Sequence, residues 1–371
     1  MPPKQNSLVR LVGRLLGRSR FGGRAKPPKR PGEDEVFEHL WRTAAFGSAR
    51  GRRFSIHQRN LLLFQMGKVA SSALEVALID RGINCFHCHS LRYEDEASRL
   101  WRLFGNEPSF RLAAKDLKLL AKHTALGMLV RWYRTNDVAP ERRLKVITLT
   151  RDPVTWFVSQ LLQRAGYRPG RLTDWHSAFT GDGTGRSDLG AATAELLRQV
   201  GRLVIETRPS AGAAAARERG RALAMAMIPP QPYIADIFSR ALFPLEWFDE
   251  QFTPILGIDI RSLPDLAERG LAQRNLGFAD LLVLRFEDLG RHLASVADFV
   301  GLEGFDLPPR NVGADKTHAA EILDAARSFY ATELGAAFQR ELWRSEYARA
   351  CGYGEEQRAR RPTAAPSHRA S

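Results

Sequence analysis

The sequence predicts an α/β protein built around a central parallel sheet. Two observations carry that prediction. Short continuous apolar runs recur at residues 59–66, 83–91, 144–150 and 281–286, and a run that short is a strand buried on both faces. Segments of helical spacing separate the first three, and strand–helix–strand alternation means parallel strands joined by right-handed crossovers.

Residues 33–58 read as an irregular or partly helical lead-in. Residues 59–66 (RNLLLFQM) form the first strand, closed at once by Gly67. Ser71–Asp80 (SSALEVALID) places Leu74, Ala77 and Leu78 on one helical face, and Arg81-Gly82 ends the helix. Residues 83–91 (INCFHCHSL) are a second strand, and residues 92–137 are largely helical. The third strand is Leu144–Thr150 (LKVITLT), stopped by Arg151-Asp152-Pro153, with a helix over residues 154–164. Residues 166–190, rich in Gly, Thr, Ser and Asp, read as a loop. An Ala-rich helical stretch runs on to about Met227, making residues 166–227 an insertion expected to elaborate the surface. Residues 281–286 (LLVLRF) are a fourth buried strand followed by Glu287-Asp288-Leu289, and residues 317–350 read as helical. No internal repeat is visible.

The chain has 371 residues, 44% hydrophobic and 26% charged, enough to bury a substantial core. No apolar run approaches the ~18 residues of a membrane span. The first 30 residues hold no continuous apolar stretch of the secretory kind. Three cysteines, Cys85, Cys88 and Cys351, cannot make a disulfide framework, so a reducing, cytoplasmic setting is expected. The net charge of +14 suggests nucleic acid, but its location argues against a specific nucleic-acid site. Residues 1–30 hold nine Lys/Arg and no acid, and residues 357–371 hold four Arg and no acid, which leaves +1 on residues 31–356. The expected organisation is a basic tail over residues 1–32, one domain over residues 33–355 and a second basic tail over residues 356–371. Such tails are expected to be disordered. Leu8, Val9, Leu11, Val12, Leu15 and Leu16 interleave with Arg10, Arg14 and Arg18, the pattern of a short basic amphipathic helix. That pattern also suits contact with an anionic membrane at its inner face, or an organelle-targeting role.

Two segments have the composition of anion sites. In Gln65-Met66-Gly67-Lys68-Val69-Ala70-Ser71-Ser72, between strand and helix, backbone amides and a helix N-terminus can surround a phosphate. Gly67 permits the close approach, Lys68 adds a point charge, and Ser71 and Ser72 donate to the anion or cap the helix. A Walker A loop is excluded by spacing. An ordinary helix start with a solvent lysine is the bland alternative. The second segment is Arg151-Asp152-Pro153 with Ser159, at the carboxyl end of a buried strand, where ligands bind in open α/β sheets. Arg grips phosphate bidentately, and Asp-Pro sets a helix start. Ser159 follows about two helical turns on, roughly 11 Å along the axis. A surface arginine beside that helix start is the alternative.

His87 and His89 lie two apart on a strand and share one face near the sheet's carboxyl end. One imidazole there can act as a general base. The alternative is a structural histidine beneath the sheet. A metal reading would need Cys85, His87, Cys88 and His89 to converge, which alternation along a strand forbids without a bulge, so no metal is expected. Glu287-Asp288 is a second candidate base or a helix cap. Trp247 and Phe248 read as core or as a platform for an acceptor.

Strand, Gly-Lys-x-x-Ser-Ser and helix, followed about 80 residues later by strand and Arg-Asp-Pro-x-x-x-x-x-Ser, resembles the sulfotransferases that use 3′-phosphoadenosine-5′-phosphosulfate (PAPS). It is most similar to the bacterial capsular-polysaccharide-synthesis branch. His87-Cys88-His89, Trp247-Phe248-Asp249 with Gly257-Ile258-Asp259, and residues 284–289 (LRFEDL) look like further motifs of that branch. The resemblance covers roughly residues 58–355, fits poorly over residues 166–227, and departs at Ala70, where the pattern has Gly. It implies a P-loop-like three-layer α/β fold of sulfotransferase type. It implies that Gly67, Lys68, Val69, Ala70, Ser71 and Ser72 cradle the 5′-phosphosulfate, while Arg151 and Ser159 hold the 3′-phosphate. The pair also resembles the His-x-His of the uronyl 2-O-sulfotransferases, which implies that one histidine is the base activating a hydroxyl of a carbohydrate or glycolipid acceptor; His89 is taken ahead of His87, with Lys68 assisting the leaving bisphosphate. The superfamily resemblance also brings basic residues such as Lys316 and Arg327 over the nucleotide. The rival expectations are a nucleotide kinase-like phosphoryl transferase and a non-catalytic protein that binds anionic surfaces through its tails.

Overall fold

The computed structural model describes residues 60–91, 114–167, 169–181, 188–227, 230–307 and 318–355. Both basic tails, the lead-in, residues 92–113 and Lys316 lie outside the described residues. The chain divides into two compact units, residues 1–55 with 90–135 and residues 56–89 with 136–371.

The second unit begins with β1 (Leu61–Phe64), α1 (Ser71–Asp80) and β2 (Cys85–Cys88). In the first unit, α2 (Ala114–Thr135) buries Ala125, Leu126, Leu129, Val130 and Tyr133, a stripe at helical spacing. The second unit resumes with β3 (Leu144–Thr150), α3 (Pro153–Tyr167), α4 (Pro169–Thr180), α5 (Leu189–Thr207), α6 (Ala213–Ala226) and α7 (Pro232–Trp247). A π-helical turn, Phe248–Phe252, leads into α8 (Thr253–Leu256) and α9 (Pro264–Arg269). Then come β4 (Leu271–Asn275), β5 (Ala279–Arg285), a 3-10 turn at Phe286–His292, α10 (Leu293–Val300), α11 (Ala319–Tyr330), α12 (Glu333–Trp343) and α13 (Glu346–Ala350).

The five strands form one sheet in the order β2-β1-β3-β5-β4. All neighbours are parallel except β4, which runs antiparallel to β5. The α/β class and the parallel core agree with the sequence reading. Strands β1 and β3 are buried along almost their whole length, as apolar runs covered on both faces must be. From β1 the chain moves outward to β2, then returns to the other side of β1 as β3. The order reverses between β1 and β3, so the crevice at their carboxyl ends is the topological switch point. Both candidate phosphate segments leave the sheet there.

Four features differ from the sequence reading. Within the expected loop at residues 166–190 lies α4, in which Leu172 is buried and Trp175 stacks on Phe179 at 5.4 Å. Its polar residues signal a loop, but tertiary packing of the apolar positions prevails. The stretch expected to elaborate the surface is part of the core. Helix α5 buries Leu196, Leu197, Val200 and Val204 and packs on α11 and α12. A Cβ on Gly201 would lie 2.8 Å from the Phe329 ring, so glycine leaves the room that this ring fills between the helices. Edge strand β4 had no counterpart in the sequence reading. Only Leu271 and Ala272 of it are buried, and a half-polar edge strand leaves a weak pattern. The expected helical stretch 317–350 is broken at Thr332 and Ser345, whose side chains accept from Gly335 N and Ala348 N and start new helices.

Candidate active site

The first loop has an unusual backbone. Gly67, Lys68 and Ala70 all take positive φ, at 84°, 55° and 59°. A Cβ on Gly67 would stand 3.3 Å from His89 Cε1, so the imidazole rests against the loop where only glycine leaves room. Ala70 is the N-cap of α1 in the left-handed conformation, and no side chain caps the helix. Ser71 is buried in the first turn and Ser72 is exposed, so neither fills the expected capping role. The first amides of α1 face the crevice without a side-chain acceptor, the arrangement an anion exploits. Val69 is fully buried and anchors the loop, while Lys68 is half-buried.

His89 is exposed at the end of β2. Its Nδ1 lies 2.8 Å from the Gln65 carbonyl. A carbonyl only accepts, so Nδ1 carries the proton and Nε2 the lone pair. The Trp247 indole donates to the His89 carbonyl at 2.8 Å and fixes the backbone beneath the ring. Trp247 is buried against Phe64, 4.9 Å between ring centroids, so it supports the site from the core. His87 meets the His89 ring edge to face at 4.4 Å. Its Nδ1 is 3.5 Å from the Glu75 carboxylate on α1, and its Nε2 is buried without a hydrogen-bond partner among the described residues.

The second segment is tied to the first. Arg151 Nη1 donates to the Lys68 carbonyl at 2.5 Å, and the Trp156 indole donates to the Gly67 carbonyl at 2.9 Å. The Arg151 guanidinium lies 4.6 Å from the Phe286 ring centre, and its Nε is buried without a hydrogen-bond partner among the described residues. Burial pushes the Arg151 pKa down, against the upward pull of Glu287, Tyr353, Asp152 and Tyr347. A desolvated, under-paired cation gains from an incoming anion. Asp152 caps α3 through Val154 N and Thr155 N at 2.9 and 3.0 Å, with Pro153 opening the helix as expected. Ser159 is half-buried on α3.

Sequence reasoning missed the brace behind this turn. The Tyr347 hydroxyl donates to the Arg151 carbonyl at 2.7 Å and accepts from Arg151 N at 3.0 Å. The Trp343 indole donates to Asp152 Oδ2 at 3.1 Å. Glu287 accepts from Asp152 N at 3.0 Å and from the Tyr353 hydroxyl at 2.7 Å. Burial raises the Glu287 pKa. Glu287 is therefore a strut beneath the turn, while Asp288 pairs with Arg285 at 2.5 Å. Tyr347 and Tyr353 sit some 200 residues beyond Arg151, and nothing in their local sequence marks them. Arg327 is exposed and pairs with Asp324 on its own helix.

No family model, curated protein or solved structure matches the chain. A functional reading therefore rests on the geometry of the crevice. Among the described residues no group of three or more His, Cys, Asp or Glu is arranged to hold a metal ion. No described helix is long and apolar enough to cross a membrane.

Proposed function

We propose that the protein transfers the sulfuryl group of PAPS to a carbohydrate hydroxyl. One observation carries the reading: an imidazole with its Nε2 lone pair set by the Gln65 carbonyl rests against a Gly-Lys loop at the switch point, and a half-buried arginine on the neighbouring loop is tied to it. The loop amides and the start of α1 suit the 5′-phosphosulfate. Arg151, with Ser159 on α3, suits the 3′-phosphate. One of its two terminal nitrogens already serves the Lys68 carbonyl, so Arg151 links the loops as well as presenting charge.

In the reaction, His89 Nε2 takes the proton of the acceptor hydroxyl as that oxygen bonds to sulfur. The bond from sulfur to the bridging oxygen breaks, and Lys68 stabilises the charge that develops on the leaving bisphosphate. Sulfuryl transfer moves less charge than phosphoryl transfer, so a lysine and oriented amides suffice in this scheme. Glu287 is engaged by Asp152 and Tyr353, which leaves His89 the better-placed base.

Titration with adenosine 3′,5′-bisphosphate and with adenosine 5′-monophosphate tests the reading. The expected preference for the bisphosphate is at least ~100-fold, because a charge-assisted bidentate contact is worth a few kcal/mol and each 1.4 kcal/mol is tenfold. Arg151→Ala should collapse most of it. Equal affinity for the two nucleotides would overturn the reading in favour of a phosphoryl transferase, and no affinity for either would favour a non-catalytic binder.

A further inference from the structure

A cavity of about 420 Å³ lies elsewhere in the second unit. Residues 209–215, the end of α7, the π-helical turn and the start of α13 line it, and neither Lys68, His89 nor Arg151 does. Glu246 lines it and is only 3% exposed. The Arg217 guanidinium lies 2.6 Å from Glu246 Oε2, yet neither carboxylate oxygen accepts an aligned hydrogen bond from a described residue. A carboxylate buried this way is costly. Burial raises its pKa to about 7, with Arg217 opposing and Glu250 and Asp249 adding to the rise.

The surrounding charge is unbalanced. Asp249, Glu250 and Glu346 join Glu246 on the lining, and Asp259 stands behind them. Against these five carboxylates stand two guanidinium groups, both already shared. Arg217 serves Glu246 and Glu250, and Arg261 serves Asp249, Asp259 and Glu346. The remaining wall is mostly apolar, from Leu245, Phe248, Ile260 and the small residues that open α6, with the hydroxyl residues Ser210, Ser345 and Tyr347 among them.

We propose that this cavity binds a small organic ammonium compound whose nitrogen meets Glu246. An ammonium supplies three donors to an under-bonded carboxylate and offsets the negative excess. Its carbon body suits the apolar wall, in the way small-molecule sites combine few polar anchors with apolar lining. A hard metal ion would need six or more oxygen ligands, and the described residues offer no group of three acidic or metal-ligating side chains so arranged. The inference stands apart from the sulfuryl-transfer reading, because it uses none of that site's residues.

Calorimetric titration of the full chain with 1,4-diaminobutane, and with 1,4-butanediol as the uncharged counterpart, tests it. The diamine should bind at least ~10-fold tighter than the diol. Its affinity should rise about tenfold from pH 6 to pH 8, as Glu246 loses its proton near 7 with Arg217, Glu250, Asp249, Arg261 and Glu346 facing the same space. Glu246→Gln should abolish that rise and weaken the diamine at least ~10-fold. Ala213→Leu keeps every charge and fills space at the lining, and should also lose the diamine, with thermal melting reporting that it folds. Equal binding of diamine and diol, wild-type affinity in folded Glu246→Gln, full affinity in folded Ala213→Leu, or no heat at millimolar diamine would each overturn the proposal.

Discussion

Ala70 bears a strain that its neighbours explain. It caps α1 at φ 59°, and its carbonyl accepts from Leu74 N at 3.0 Å to start the helix. An L-residue there costs roughly 1–2 kcal/mol, partly offset on replacement by the extra freedom of glycine when unfolded. Ala70→Gly should therefore raise stability by about 0.5–1 kcal/mol, read as a shift in denaturation midpoint. An unchanged or lower midpoint would mean the loop relaxes in solution. His89 is a residue of a different kind, exposed and oriented by the Gln65 carbonyl. Replacing it with Ala should leave bisphosphate affinity intact and lower sulfuryl transfer by about 10²–10⁴-fold, the usual worth of a positioned base. His87→Ala should be milder, because His87 faces Glu75 and touches the base only ring to ring. Near-normal transfer by His89→Ala would remove it from the mechanism.

Among the elements, the segment from α12 to Tyr353 holds the Arg151 turn, and hydroxyl deletions measure how firmly. Tyr347 satisfies both backbone groups of Arg151. Tyr347→Phe would leave a buried N–H and C=O unpaired, at about 1–3 kcal/mol. Tyr330 is the internal contrast, since its hydroxyl is buried with no hydrogen-bond partner among the described residues. Tyr330→Phe should be neutral or slightly stabilising, and equal losses in the two variants would show that the hydrogen bonds to Arg151 contribute nothing specific. The same contrast explains what was legible in the sequence. Strands β1 and β3, helix α1 and the Asp152-Pro153 helix start are local events, written in apolar runs, spacing and capping chemistry. The two loops and the histidine pair are legible for the same reason. The brace of Trp343, Tyr347, Tyr353 and Glu287 is long-range, made by side chains that look like ordinary core residues until the sheet brings them under the turn. Helix α4 and strand β4 were hidden by polar composition that packing overrode.

Across the whole molecule, charge is segregated rather than spread. Residues 31–356 carry a net +1 of the chain's +14, and the site's own cations are few and committed. Arg151 is half-buried and bonded to the Lys68 carbonyl, and at the separate acidic cavity Arg217 and Arg261 are held by carboxylates. The excess positive charge that would attract an anionic surface at long range sits in residues 1–32 and 356–371. Such attraction acts through exposed charge and is screened over about 8–10 Å at physiological salt, so it should be strongly salt-sensitive. Among the described residues the switch-point crevice draws on residues 60–89, 144–167, 247 and 286–353, so nucleotide binding is expected not to depend on the tails. Removing both tails should abolish flotation with vesicles containing anionic lipid at low salt. It should leave the affinity for adenosine 3′,5′-bisphosphate within about twofold, since no described crevice residue is removed. Vesicle binding unchanged by the deletion would place the anionic-surface contact on the nearly neutral body and remove the membrane role of the tails. A large fall in nucleotide affinity with vesicle binding intact would instead make the tails part of the nucleotide site.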